Sequence, residues 1–486
     1  MFLNFHGNEK GILMSEGDYK GKELLLFQLG PVQEFIAQAA TVGDLWAGSY
    51  LLSTLVWAGL QKVPEKEKNV VFPDLSTDAV RKALEDNKIP TIPNRFLAWV
   101  PAGHGKDVAS DVKTAVKAKL DECVGRLDLG DLGVKAARKQ ADQFLQMTWA
   151  VLPSEKVSGK MGDDYKAIGR KLAMRRNVRE FEPWKETVAP TMKDFLSGKE
   201  TAIRDGRGAM NLIKEQLSKE SGKVAQDVFE KDKDGNEKKS KYIAVIAMDG
   251  DRMGESLSSF KDEEDHRKFS SDLARFAGKV GGVVAGYGGY LIYDGGDDVL
   301  AVVSAKDAID CATELRNLFG AEVAGKTASA GIAVGHRNVP LQDLVNKAHA
   351  AESRAKSYYS RNALAISVFK RSGEILEWGC KWGSQALKIY SALRDSLDES
   401  LSDRFPYKLA ELLLQYGDLT VDMREVVKIE FEHAWERSSG KSLPGDMAEA
   451  VSQYFDEVFG EHGNPKDFLD LFLCETFIDR PREGEE

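Results

Sequence analysis

Asp294-Gly295-Gly296-Asp297-Asp298 puts three carboxylates into five residues, between strand-forming runs at 288–293 and 299–303. Gly-Gly supplies the positive φ angles of a tight turn, so the segment reads as a β-hairpin over 289–303 with acids at its tip. Carboxylates crowded this closely repel one another unless water screens them or a cation sits among them. Grouped Asp oxygens are hard ligands, suited to Mg²⁺ or Mn²⁺ rather than to a soft metal. Taken alone, residues 294–297 fit a solvated turn as well as they fit a metal site.

A second acidic strand end lies upstream. Residues 242–248 form a continuous apolar run, the mark of a strand buried on both faces, which stops at Asp249-Gly250-Asp251-Arg252-Met253-Gly254. If this strand pairs beside the hairpin, Asp249 and Asp297 meet on one cation, and the open Gly250 and Gly254 backbone faces phosphate oxygens. The pair of segments is far more specific than either alone. A helix over 341–357 has Leu341, Leu344, Val345 and Ala348 on one side and Lys356 near its end, with Arg361 just beyond. Arg grips phosphate oxygens in a fork and Lys acts as a point charge, so both suit a triphosphate tail. A helix C-terminus made basic to complement its dipole has the same spacing.

These residues need elements to hold them. From 241 the pattern predicts strand 241–248, helix 263–280, hairpin 289–303, helix 306–319, strand 326–335, helix 341–357 and strand 363–369. That is βαββαβ plus one strand, the ferredoxin-like layout of polymerase palms and nucleotide cyclases. Before it, an α+β domain is expected over 22–180: a strand at 23–29 broken by Gly30-Pro31, two helices, strands at 70–73 and 95–100, and a helical stretch over 106–147. Its last helix carries Lys166, Arg170, Lys171, Arg175, Arg176 and Arg179, either a solvated face or a cradle for an RNA backbone. Residues 181–240 run from Phe181-Glu182-Pro183-Trp184 to a charged stretch at 231–239 and read as a helical connector closed by an exposed loop. Residues 1–21 read as a loose leader, and 373–486 as a helical bundle without chemistry, His433 and His462 being lone structural histidines.

Composition narrows the function classes. A chain of 486 residues exceeds one ordinary core, so two or three domains are expected. The start lacks a signal peptide and residues 50–60 are too short to span a bilayer, so no membrane association and a cytoplasmic location are expected. Cys123, Cys311, Cys380 and Cys474 stand singly, which predicts reduced structural thiols rather than zinc or disulfides. A net charge of −10 argues that any nucleic acid is held by local patches or partner subunits.

Five segments together resemble a known family: 30–36 (Gly-Pro-Val-Gln-Glu-Phe-Ile), 44–49 (Asp-Leu-Trp-Ala-Gly-Ser), 249–254, the Gly-Gly-Asp-Asp turn, and 362–366 through Lys370-Arg371-Ser372-Gly373. In order and spacing they are similar to the large polymerase-cyclase subunit of type III-B CRISPR effector complexes, over most of the chain from about Leu24. The resemblance implies two palm-like domains, 22–180 and an active 241–372, with a helical C-terminal domain docking on small subunits that hold guide RNA. It implies that target RNA switches on conversion of ATP into cyclic oligoadenylate messengers. Family members often begin with a histidine–aspartate nuclease domain, whereas no His here is followed by Asp, so single-stranded DNA cleavage is not expected. The cysteine zinc module found between the palms of many members has no counterpart in 181–240, and zinc is not predicted. Diguanylate cyclases are a weaker resemblance. Their Ala-Lys and Gly-Arg-Asn segment is echoed by Ala355-Lys356 and Ser360-Arg361-Asn362, which favours the phosphate reading of Lys356 and Arg361.

The expectation is metal-assisted 3′–5′ nucleotidyl transfer. Asp249, Asp297, Asp298 and the Gly250 carbonyl hold Mg²⁺ or Mn²⁺, and Gly250, Asp251, Met253, Gly254, Gly295, Gly296, Lys356 and Arg361 surround the nucleotide. Two alternatives stay open: an idle scaffold of the same complex, and transfer of AMP to another small acceptor.

Overall fold

Leu24 and Leu26 alternate with Leu25, Phe27 and Leu29 along the first strand, β1 (Lys22–Gly30), and both sets are buried. A strand apolar on both faces must lie between two layers. In the computed structural model β1 is a central strand of a four-stranded antiparallel sheet with β2 (Val70–Phe72), β3 (Arg95–Pro101) and β4 (Gln146–Leu152), in the order β2-β3-β1-β4. Leu25, Phe27 and Leu29 pack with helices Val42–Leu60 and Gly105–Gly125, while Leu24 and Leu26 pack with helix Met161–Asn177. The structure describes residues 21–75, 92–178, 192–222, 228–231, 237–397, 404–460 and 463–479. Nearly all of the expected leader, Arg179, Phe181-Glu182-Pro183-Trp184, the middle of the 231–239 stretch and His462 lie outside them.

The same order recurs downstream. Around β7 (Tyr242–Gly250) stand β9 (Val299–Ser304) and β10 (Ala328–His336), both antiparallel to it, with β8 (Tyr290–Asp294) outside β9. The sheet continues through β11 (Ala363–Phe369), parallel to β10, to β12 (Ile375–Lys381). Ala244, Ile246 and Met248 pack with helices Glu263–Gly286 and Ala308–Glu322. Ile243, Val245 and Ala247 instead share a core with Leu25, Phe27 and the helix Val42–Leu60. The fold is therefore α+β with two ferredoxin-like palms, as the sequence predicts, and the palms share buried apolar surface.

Polar ties fix the two palms as well. The Trp99 indole donates to Glu263 Oε2 at 2.8 Å, and Arg267 bonds both Glu263 and the Val70 carbonyl. On the other side, the Met161 N–H donates to the Lys261 carbonyl at 2.9 Å. A Cβ on Gly162 would lie 2.3 Å from the Phe260 carbonyl oxygen, so only glycine permits this contact.

Three stretches differ from their sequence expectation. Residues 375–381, read as the start of the helical tail, are β12, because Leu376, Trp378 and Cys380 alternate and all three are buried. Burying them is worth on the order of 5 kcal/mol, which outweighs about 1 kcal/mol for a glycine such as Gly379 inside a strand. β4 begins within the stretch read as helical, which instead holds helices Gly105–Gly125 and Asp131–Phe144. The charged 231–239 stretch is flanked by a ribbon of β5 (Phe229–Lys231) and β6 (Glu237–Lys239). Helix Ala209–Glu220 packs on Val42–Leu60 through Met210, Leu212 and Ile213, and its buried Lys214 ammonium donates to the Phe35 and Gln38 carbonyls.

The tail is helical beyond β12, with helices Gln385–Leu397, Phe405–Leu414, Arg424–Ser439, Gly445–Val458 and Lys466–Asp479 packed through Phe405, Phe431, Phe455, Phe468 and Phe472. Trp378 ties it to the sheet by donating to the Tyr454 hydroxyl at 3.2 Å. All four cysteines are buried and unpaired. No helix among the described residues is long and apolar enough to cross a membrane.

Helix Leu341–Ser357 lies so close to β10 that a Cβ on Gly331 would sit 2.0 Å from the Glu352 nitrogen and 2.2 Å from the Ala348 carbonyl oxygen. Gly331→Ala is expected to destabilise the protein by about 3 kcal/mol through this overpacking. Gly282→Ala, in a helix with nothing within 4 Å, is expected to be neutral or stabilising. Thermal denaturation of both variants checks the contrast.

Candidate active site

β7 ends at the tip of the hairpin. The Gly250 N–H donates to the Asp297 carbonyl at 3.2 Å, and a Cβ on Gly250 would lie 3.1 Å from that of Asp297. Glycine at 250 is what allows the two segments to approach. The turn itself is closed by the Gly295 N–H donating to the Asp298 carbonyl at 2.9 Å, with Gly296 at φ +99°. Asp249, Asp297 and Asp298 consequently line one cavity of about 400 Å³, together with Gly250, Met253, Gly254, Gly295, Lys356 and Arg361. Nine of the residues singled out from sequence thus converge on one space.

Two do not. Asp251 turns away from the cavity. Its buried carboxylate accepts from the Thr327 and Ser329 hydroxyls, both at 2.7 Å, and from the Asn362 N–H at 2.9 Å. It pins the end of β7 to β10 and to the loop at Ser360-Arg361-Asn362, three successive residues with positive φ. Gly296 shapes the turn without lining the cavity. For these two the expected nucleotide contact is replaced by a structural role.

The electrostatics of the tip are those of anions held out of water. Burial, reinforced by the neighbouring Asp298 charge, pushes the Asp297 carboxyl up to about 7. Burial likewise raises Asp298 to about 6, with His349 and Arg95 drawing it back. Asp294, at the end of β8, is fully buried with neither oxygen hydrogen-bonded to another described residue, and burial drives its pKa well above the ordinary range. Lys356 faces Asp249 and stands 2.7 Å from Glu352 Oε1. Burial, with Arg361 nearby, pulls Lys356 down to about 8.

The donor set suits a hard divalent cation: every candidate ligand is oxygen, and two carboxyls at the tip carry charge that burial disfavours. Among the described residues no three acidic, His or Cys side chains are drawn into a closed metal cluster, and the Lys356 ammonium engages Asp249. Asp249, Asp297 and Asp298, with the Gly250 carbonyl, are the groups that would hold such an ion.

The first palm supplies what sequence reasoning missed. Gln28, Asn94 and Arg95 line the same cavity from β1, β3 and the residue before β3. Gln28, Asn94, Tyr293 and Asp298 also line an adjoining chamber of about 480 Å³, with Arg176, His349 and Glu352. One signal was available: Gln28-Leu29-Gly30 ends β1 as Met248-Asp249-Gly250 ends β7, each an apolar strand stopped by glycine before a helix.

The carboxyl of Asp297 shifts from an ordinary 3.8 to about 7, so its ionisation opposes folding. The penalty sets in as pH rises past the lower value and is complete above the higher. In divalent-free buffer, Asp297→Asn is expected to stabilise the protein more at pH 8 than at pH 5, by on the order of 1–2 kcal/mol. Melting curves at the two pH values read the difference, and an equal or reversed effect contradicts it.

Residues 242–365 match Cas10/Cmr2, second palm domain, and residues 24–125 match CRISPR-associated protein Cmr2, N-terminal. The chain is 27% identical over 256 residues to CRISPR system Cmr subunit Cmr2 of Pyrococcus furiosus, which covers 46% of this chain. That match spans only 28% of the relative's length. The fold resembles the type III-B Cmr-beta apo state, with a TM-score of 0.65 at 12% identity over 94% of this chain and 81% of that one. It also resembles the Csm1-Csm4 cassette in complex with cA4, with a TM-score of 0.54 at 16% identity over 95% and 70%. By two domain matches and by its fold, the chain resembles the large Cas10/Cmr2 palm subunit of type III CRISPR effector complexes.

Proposed function

We propose that the protein is the large subunit of a type III-B CRISPR RNA-guided complex, working in the cytoplasm with other subunits, guide RNA and target RNA, and that it converts ATP into cyclic oligoadenylates. One observation carries this: carboxylates from β7 and from the hairpin tip, a lysine and an arginine share a cavity of about 400 Å³. Three acids sharing a cavity with four cations, Arg95, Arg252, Lys356 and Arg361, suit a metal–triphosphate complex in charge and hardness. The likeness to a Csm1-Csm4 cassette holding cA4 supports the product class.

In the reaction, the 3′-hydroxyl oxygen of one ATP forms a bond to the α-phosphorus of another, the bond to the β-phosphate bridge breaks, and pyrophosphate leaves. Lys356 and Arg361 bind the triphosphate and offset the charge gathering on the pyrophosphate. The Gly250 and Gly254 backbone lets phosphate approach where a side chain would block it. Asp297 and Asp298 would hold Mg²⁺ or Mn²⁺ as carboxylates, with Asp249 and the Gly250 carbonyl. When bound, the ion supplies Lewis acidity, easing loss of the hydroxyl proton and stabilising the leaving group. Residues 241–372 form the catalytic palm in this reading, 22–180 the facing palm, and 373–486 the helical domain that docks on other subunits.

The Lys356–Asp249 pair favours a second reading, an idle scaffold in which lysine has taken the cation's place. A thermal shift with ATP and Mn²⁺ separates the two, since a scaffold gives none. In the assembled, target-loaded complex, Asp297→Ala with Asp298→Ala is expected to abolish oligoadenylate formation from labelled ATP and leave assembly intact. Undiminished synthesis by that variant would exclude the site.

A further inference from the structure

Between Lys156 and Asn177 the chain carries seven Lys and Arg against two Asp, in a protein of net charge −10. One of the two acids, Asp164, is buried and spent on the Ser158 N–H at 2.8 Å. Lys166, Arg170, Arg175 and Arg176 are exposed on helix Met161–Asn177, and none pairs with an acid among the described residues. Cations left unpaired on one element of an acidic protein create a local positive potential that a polyanion can use.

The patch is more than charge. Arg175 lies over the Trp149 ring at 4.1 Å, which fixes a flat guanidinium at the outer strand of the first sheet. Lys171 is tethered to the same strand through the Val151 carbonyl at 3.1 Å. Met174 and Val178 are 66% and 77% exposed beside these cations. Planar and apolar surface interleaved with positive charge suits a single strand, whose bases are free to stack while its phosphates meet Lys and Arg. A duplex hides its base faces and would use only the charge.

We propose that helix Met161–Asn177, with the Trp149 edge, is a docking surface for the backbone of single-stranded RNA. The choice of RNA over DNA rests on the function proposed above; the choice of a single-stranded polyanion rests on the surface alone. The helix also contributes Arg176 to the chamber beside the active cavity.

The test uses the purified full chain and a fluorescently labelled single-stranded RNA of about 20 nucleotides, read by anisotropy across a salt series. Lys166→Glu with Arg170→Glu is expected to weaken binding about tenfold or more and to lower the log–log salt slope by at least about 1.4, two contacts' worth for a single strand. Lys166→Gln with Arg170→Gln is expected to give a smaller loss in the same direction, and Lys408→Glu, on an exposed site of the helical tail, none. Melting temperatures unchanged from the parent show that the variants fold. Affinity and slope unaffected by either double substitution, or no RNA binding by the parent, would each overturn the proposal; equal affinity for DNA of the same sequence would overturn its choice of RNA. The assay contains neither ATP nor metal, so its failure leaves the synthase reading standing. Loss of that reading in the turnover assay likewise leaves the patch's effect on binding to be read by itself.

Discussion

Adjacent carboxylates at Asp297 and Asp298, set in a site where burial raises both pKa values, are the constraint around which the second palm is arranged. Like charges on neighbouring residues in low dielectric are unfavourable unless they are neutralised. The fold does not relieve them with a salt bridge of their own among the described residues. It brings a third carboxylate to the same cavity through the Gly250 contact and places Lys356 and Arg361 opposite. That arrangement is unstable as pure structure and sensible as a cradle for a cation bound to a triphosphate.

The first palm matters because it closes this cradle. Its β1 and β7 of the second palm are both central strands buried on two faces, and the inner faces of the two sheets contribute to one core. Gln28, Asn94 and Arg95 reach the cavity lined by Asp249, Asp297 and Asp298 only because the palms are held together by that core, by the Trp99–Glu263–Arg267 ties and by the close approach at Gly162. Two neutral amides and the Arg95 guanidinium from one palm thus face carboxylates from the other, and the guanidinium draws the Asp297 and Asp298 pKa values down against burial.

What was legible in the sequence was local. The apolar run ending at Asp249 and the Gly-Gly turn with its acids announce a buried strand and a tight hairpin, because burial and positive φ leave marks within a few residues. Lys356 and Arg361 fit the same chemistry at a distance only through likeness to diguanylate cyclases. Asp251 shows the limit: an acid two residues from Asp249 looks the same whether it faces a ligand or binds two hydroxyls and an N–H from residues 327, 329 and 362. The contributions of Gln28, Asn94 and Arg95 depend on how two separately coded sheets meet, which no local pattern records. β12 was missed for another reason, since three alternating apolar residues among glycines and charges carry little periodic signal until Trp378 is seen filling the core.

The proposed chemistry depends on Asp249 and Asp297 serving one ion. Anomalous diffraction from crystals grown with Mn²⁺ and a non-hydrolysable ATP analogue addresses this directly. The expected result is manganese at about 2.1 Å from a carboxylate oxygen of each residue, near the distance typical of small divalent cations, with Lys356 moved from Asp249 onto phosphate. Manganese bound elsewhere, or Asp249 still paired with Lys356 while nucleotide is present, would contradict it.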